Sequence, residues 1–181
     1  MKYIFLDFDG VLNTEKHQAY LRSNGKRTCD DFGPIFDPES VECLRTIVSQ
    51  VPDTRIVIIS SWKFEGEDRM SQLWKERNLP GVMEGITPTM IPETLDDLYA
   101  GKGREIKSWL LLHPSNQYVI LDDVPDFLPE QNSLYAPNYT AYSWICQSIV
   151  NNYSRFVDIM KVRPCLFPRI IHNDSSCRKY K

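Results

Sequence analysis

Three short, continuous apolar runs divide the chain: Tyr3-Ile4-Phe5-Leu6, Ile56-Val57-Ile58-Ile59 and Tyr118-Val119-Ile120-Leu121. Each is too short for a helix and bounded by polar residues, the pattern of a strand buried on both faces. Between them the apolar positions recur at three and four. Val41, Leu44, Ile47, Val48 and Val51 predict a helix that starts at the N-cap Asp37 with Pro38 and is stopped by Pro52. Met70, Leu73, Trp74 and Arg77 predict a helix over about 67–78, closed by Asn78-Leu79-Pro80-Gly81. Ile106, Trp109, Leu110 and His113 predict another over 102–112, ended by Pro114. Tyr142, Ile145, Cys146, Ile149, Val150, Tyr153, Phe156, Val157 and Met160 predict a long amphipathic helix over 141–160. Residues 81–87 read as a third strand and 133–136 as a short last one, while 14–36 and 88–101 read as polar, turn-rich connections.

Strands alternating with helices imply a parallel sheet, because parallel neighbours need long crossover connections. The expected fold is therefore α/β: a doubly wound, Rossmann-like three-layer α/β/α sandwich with a central parallel sheet. A core over 1–160, with 14–36 as a flap, is followed by a basic extension over 161–181 that holds six Lys or Arg against the single acid Asp174. At 181 residues and 42% hydrophobic content the chain suits one domain with a full core.

The net charge of −3 gives no global attraction to nucleic acid or an anionic membrane. The five cysteines form no Cys-x-x-Cys pair and no metal-ligand spacing with His17, His113 and His172, so they read as reduced thiols, with Cys43 and Cys146 as small hydrophobes on helix faces. No signal-peptide pattern opens the sequence and no apolar run is long enough to span a bilayer, so a cytoplasmic location is expected.

The chemistry lies just beyond the apolar runs. Asp7 and Asp9 end the first, Ser60 and Ser61 the second, Asp122 and Asp123 the third. In a parallel sheet these C-terminal ends converge on the crevice where α/β proteins bind ligands. With fourteen Asp in the chain, about one Asp-x-Asp is expected by composition alone, so the pair gains meaning only from its partners. Three or four carboxylates at one edge repel one another and call for a cation, and oxygen-only ligands favour Mg²⁺. Lys102, opening a helix beside them, and the hydroxyls of Ser60 and Ser61 complete what a phosphate site needs.

These pieces, in this order, resemble the four motifs of the haloacid dehalogenase-like hydrolase superfamily: Asp7-Phe-Asp9-Gly-Val, Ile-Ile-Ser60, Lys102-Gly-Arg-Glu-Ile and Leu-Asp122-Asp123. The resemblance spans residues 3 to about 126. Ser-Ser-Trp62, Lys102-Gly-x-Glu-Ile-x-x-Trp-Leu and Ile-Leu-Asp-Asp are most similar to the branch associated with bacterial RNA-repair polyproteins. The resemblance implies Asp7 as the nucleophile that forms an aspartyl-phosphate and Asp9 as the general acid and base. It also implies Mg²⁺ on Asp7, Asp123 and the Asp9 backbone carbonyl, Ser60 on the phosphoryl oxygens, and Lys102 neutralising nucleophile and phosphate. Either Asp122 or Asp123 is the direct metal ligand; Asp123 is preferred, with Asp122 supporting Lys102. Ser61 is the alternative hydroxyl. Asp126 either binds through water or caps the following turn.

A general acid argues for an oxygen leaving group over a halide, hence a phosphatase. Neither 14–36 nor 81–101 is long enough for a separate cap domain, so an open site is expected, suited to a phosphate on a macromolecule: a phosphoprotein such as one bearing phosphotyrosine, or a nucleic-acid end. Trp62 and Lys63 are expected on the rim, with Trp62 packing under the flap as the alternative. A catalytically idle module binding phosphorylated partners and a phosphotransferase are the competing functions.

Overall fold

The computed structural model describes residues 1–94, 100–131 and 133–134; the predicted helix over 141–160 and the extension 161–181 lie outside the described residues. Strand β1 (Lys2–Leu6) leads to helix α1 (Glu15–Ser23), the two-residue strands β2 (Cys29–Asp30) and β3 (Gly33–Pro34), and helix α2 (Pro38–Gln50). Strand β4 (Thr54–Ile58) then runs into a 3-10 turn (Ser61–Glu65), helix α3 (Glu67–Glu76) and strand β5 (Val82–Ile86). Helix α4 (Gly101–Leu112) and strands β6 (Tyr118–Leu121) and β7 (Ser133–Leu134) follow.

Five of the strands form one parallel sheet in the order β5-β4-β1-β6-β7. Alternation along the apolar runs explains why they are continuous. Ile4, Leu6, Ile56, Ile58, Val119 and Leu121 pack with Leu44 and Ile47 of α2 and Met70 and Leu73 of α3. Tyr3, Phe5, Val57, Ile59 and Ile120 pack with Ile106 of α4 on the opposite face. Both faces are buried, as an all-parallel sheet requires, and the layers are α/β/α as expected.

From β1 the chain builds outward through β4 to β5, then returns to add β6 and β7 on the other side. The reversal falls between β1 and β6, the position at which such sheets open a crevice beyond their strand ends. Leu6 stands opposite Ile58 and Leu121, so Asp7, Ile59 and Asp122 leave the sheet side by side.

The connection 14–36 carries more structure than its composition predicts. Thr14 caps α1 by accepting from the His17 amide, Glu15 and Arg22 complement the helix ends, yet only Leu21 is buried. One buried position leaves no apolar period. The antiparallel pair β2 and β3 is a hairpin of two residues per strand, with Gly33 at φ +115°.

Candidate active site

Asp7 follows β1 directly and is 5% exposed; its Oδ1 accepts from the Phe8 amide at 2.7 Å. Its Oδ2 accepts from Lys102 Nζ at 2.7 Å, and the same ammonium donates to Asp122 Oδ2 at 2.6 Å. Asp122 is fully buried, and its Oδ1 accepts from the Val124 amide at 2.9 Å. One lysine thus bridges the carboxylates at the ends of β1 and β6. Burial alone would lower the Lys102 pKa, but the two carboxylates outweigh it and raise it.

A single ammonium does not neutralise the cluster. Asp7, Asp122 and Asp123 each offer a carboxylate oxygen within 4.8 Å of the others. Burial and the Asp7 charge together push Asp122 up to about 7 despite Lys102, and the same two causes raise Asp123. Two acids that resist ionising, one of them buried, beside the Asp7 carboxylate are the chemistry of a cation site, and an all-oxygen donor set fits Mg²⁺. Asp123 lies against the backbone of Gly10: a Cβ there would come within 2.0 Å of Asp123 Oδ2, and φ at Gly10 is +73°. Glycine at this position therefore makes room for an acid as well as for the turn.

Asp9 is exposed and stands outside the three-carboxylate group. Its Oδ2 accepts from Trp62 Nε1 at 2.9 Å and its Oδ1 from Asn13 Nδ2 at 2.6 Å. Trp62 combines the two placements expected for it. It packs under the hairpin, 5.5 Å from both Phe8 and Phe36, while its indole N–H reaches the cleft to hold Asp9. The hydrogen bonds of Asn13 and of this indole to Asp9 are contacts the sequence did not disclose.

Ser60 is fully buried at the end of β4 and caps the 3-10 turn through the Trp62 amide, whereas Ser61 is exposed. Lys63 is not on the rim. It is 4% exposed, donates to Thr87 Oγ1 at 2.8 Å and forms an ion pair with Glu105, which is itself buried on α4. Burial lowers its pKa against the pull of Glu105. The 3-10 turn winds Lys63 inward, and the five-residue offset between strand end and side chain defeats a reading based on proximity to Ser60. Glu105 sits three residues after Lys102, so one helix supplies both the site's ammonium and the acid that anchors Lys63.

Asp126 binds the start of α4. Its Oδ1 and Oδ2 accept from the Gly101 and Lys102 amides, each at 3.1 Å, and its carbonyl accepts from the Gly103 amide at 3.0 Å. The sequence suggested water-mediated binding or a cap on the following turn; the hydrogen bonds run back instead to the first amides of α4. Gln131 closes the same contact by donating to the Gly103 carbonyl at 2.5 Å, and a Cβ at Gly103 would strike Gln131 and Leu128. The loop after β6 and the helix bearing Lys102 are thereby held together.

The hairpin is fastened to α3. Arg77 donates to both carboxylate oxygens of Asp30, at 2.9 and 2.6 Å, and lies 4.3 Å from the Phe36 ring. Arg69 donates to the Asp31 carbonyl and stacks 4.2 Å over Phe32. The Arg77 charge and hydrogen bonds hold Asp30 below its usual value, more than offsetting its desolvation. A cleft of about 450 Å³ runs from Asp9 and Trp62 beneath this hairpin.

No curated protein and no solved structure shows a significant match to this chain. The family model described as the HAD domain in Swiss Army Knife RNA repair proteins matches residues 3–142, and the chain belongs to that family.

Proposed function

We propose that the protein is a Mg²⁺-dependent phosphomonoesterase that works through an aspartyl-phosphate on Asp7 and acts on a phosphate at a nucleic-acid end. The observation that carries this reading is the Lys102 ammonium held 2.7 Å from Asp7 and 2.6 Å from Asp122 within a cluster of three carboxylates.

Asp7 attacks phosphorus through a carboxylate oxygen as the bond to the leaving oxygen breaks, and Asp9 gives that oxygen its proton. Water then attacks phosphorus, Asp9 takes the proton, and the Asp7–phosphorus linkage breaks to release phosphate. Lys102 offsets the charge of the nucleophile and of the incoming phosphoryl group, whose mutual repulsion would otherwise oppose contact. Trp62 and Asn13 fix the carboxylate of Asp9 at the mouth of the cleft. Ser60 supplies a hydroxyl to the phosphoryl oxygens, and Asp122 orients Lys102. Mg²⁺ held by Asp7, Asp123 and the Asp9 carbonyl would withdraw charge from those oxygens.

The open sheet edge suits a phosphate carried on a large molecule. The family's RNA-repair description favours a nucleic-acid end over a phosphoprotein side chain. Purified protein is expected to hydrolyse an aryl phosphate in an EDTA-sensitive way, with Asp7→Asn reducing the rate at least about a thousandfold. Activity that survives EDTA or Asp7→Asn would sink the reading.

A further inference from the structure

One of the reacting groups, Asp9, which gives its proton to the leaving oxygen, lines a cleft of about 450 Å³ whose other walls the reaction does not use. On the phosphomonoesterase reading, on which this inference rests, whatever is esterified to the phosphate must therefore lie along that cleft. Its walls then describe the leaving group.

Three properties of the walls select. First, Phe32 carries the Arg69 guanidinium 4.2 Å over its ring, giving an aromatic and a planar cation side by side, surfaces on which nucleobases stack. Second, the acceptor-only residues Asp31 and Glu65 line the cleft beside Asp9, Asp31 also pairing with Arg27 at 3.5 Å. A base edge with N–H groups can donate to them; a tyrosyl ring has no such group. Third, three acidic residues and one arginine line the cleft, an excess of negative charge that Arg27 offsets only at Asp31, so the cleft favours one uncharged nucleoside and the rest of a strand leads away from it. The volume lies in the range of pockets that hold small molecules, enough for one nucleoside.

We infer that the cleft between the 29–34 hairpin and the 61–70 segment is a subsite for the terminal nucleoside of an RNA strand, whose end phosphate enters the site at Asp7. The hairpin needs no movement to form it, because Arg77 and Arg69 already fasten it to α3.

The test is binding to the full-length Asp7→Asn protein, followed through the Trp62 indole N–H resonance. The ligands are short oligoribonucleotides phosphorylated at the 3′ or the 5′ end, a phosphotyrosine peptide and inorganic phosphate. One phosphorylated end should shift that resonance and bind at least about tenfold more tightly than the phosphopeptide; which end does so identifies the source of the phosphate. Phe32→Ala should weaken that binding by roughly tenfold, the effect expected for loss of one stacking surface. Glu65→Gln, an exposed change on the opposite wall, should alter the preference among bases without needing the hairpin. Equal or tighter binding of the phosphopeptide overturns the inference, as does oligonucleotide binding that leaves Trp62 unmoved or is indifferent to both substitutions. Absence of hydrolysis by the unmodified protein would instead remove the phosphatase reading, and the binding measurements would still decide the subsite.

Discussion

Lys102 and Lys63 carry the same charge in opposite circumstances. Lys102 reaches two carboxylates at the sheet edge, while Lys63 is sealed with Glu105 and Thr87 beneath it. Removing one member of a buried pair leaves the other's charge uncompensated, which typically costs about 3–5 kcal/mol. Lys63→Met is expected to destabilise by that order in urea unfolding, and Lys63→Met with Glu105→Leu to recover most of it. If the single change is as mild as a surface substitution, the pair does not hold α4 as described. The gathering of Asp7, Lys102, Asp122 and Asp123 at the sheet edge was legible in the sequence because each follows an apolar run or opens a helix. Lys63 was not, since nothing in Ser-Ser-Trp-Lys announces that the chain coils into a 3-10 turn and points this side chain inward. The cap that Asp126 places on α4 was missed for a similar reason: its partners are neighbours in space, 24 and 25 residues away along the chain, not in the turn that follows it.

At the scale of elements, the sheet and the helices α2, α3 and α4 followed their predicted order, with boundaries within a few residues, because each buries a stripe or a face at the right period. Helix α1 escaped because its single buried side chain, Leu21, leaves no period to detect; only the Thr14 cap and the charges at its ends signalled it. The β2–β3 hairpin escaped because two-residue strands have no alternation. Its stability comes from Arg77, a residue of the distant α3 terminus. Arg77→Leu should therefore release the hairpin while leaving the sheet intact. The expected result is hydrogen exchange faster by about tenfold or more over 28–36, with strand amides in β1 and β4 unchanged. Uniform acceleration would mean that Arg77 supports the whole core instead.

Family membership makes the molecule a HAD-fold hydrolase with a phosphatase-like role. Among the described residues no helix is long and apolar enough to cross a membrane. The carboxylate cluster sets how the molecule as a whole responds to pH. Asp122 holds its proton up to about pH 7, against an ordinary carboxylate value of 3.8. A group whose folded value is raised in this way favours the folded state when protonated, so its contribution declines as pH rises from about 4 to about 7. A divalent cation competes with that proton. Melting temperatures with and without Mg²⁺ should differ more at pH 8 than at pH 5.5, and the EDTA-treated protein should lose stability across that interval from this group. A Mg²⁺ effect that is the same at both values would place the ion elsewhere.

The fastening of the hairpin also bears on how the protein selects what it acts on. Lids that close over a substrate convert recognition into a movement, and the movement can reject a poor fit after binding. A wall tied down by a two-point arginine–carboxylate pair has no such second step. On the proposed nucleic-acid reading, discrimination at this wall then falls on first contact, on which ends of which strands can reach the groove as it stands. Ends buried in a duplex or a folded structure would be screened out by geometry before any chemistry is tried.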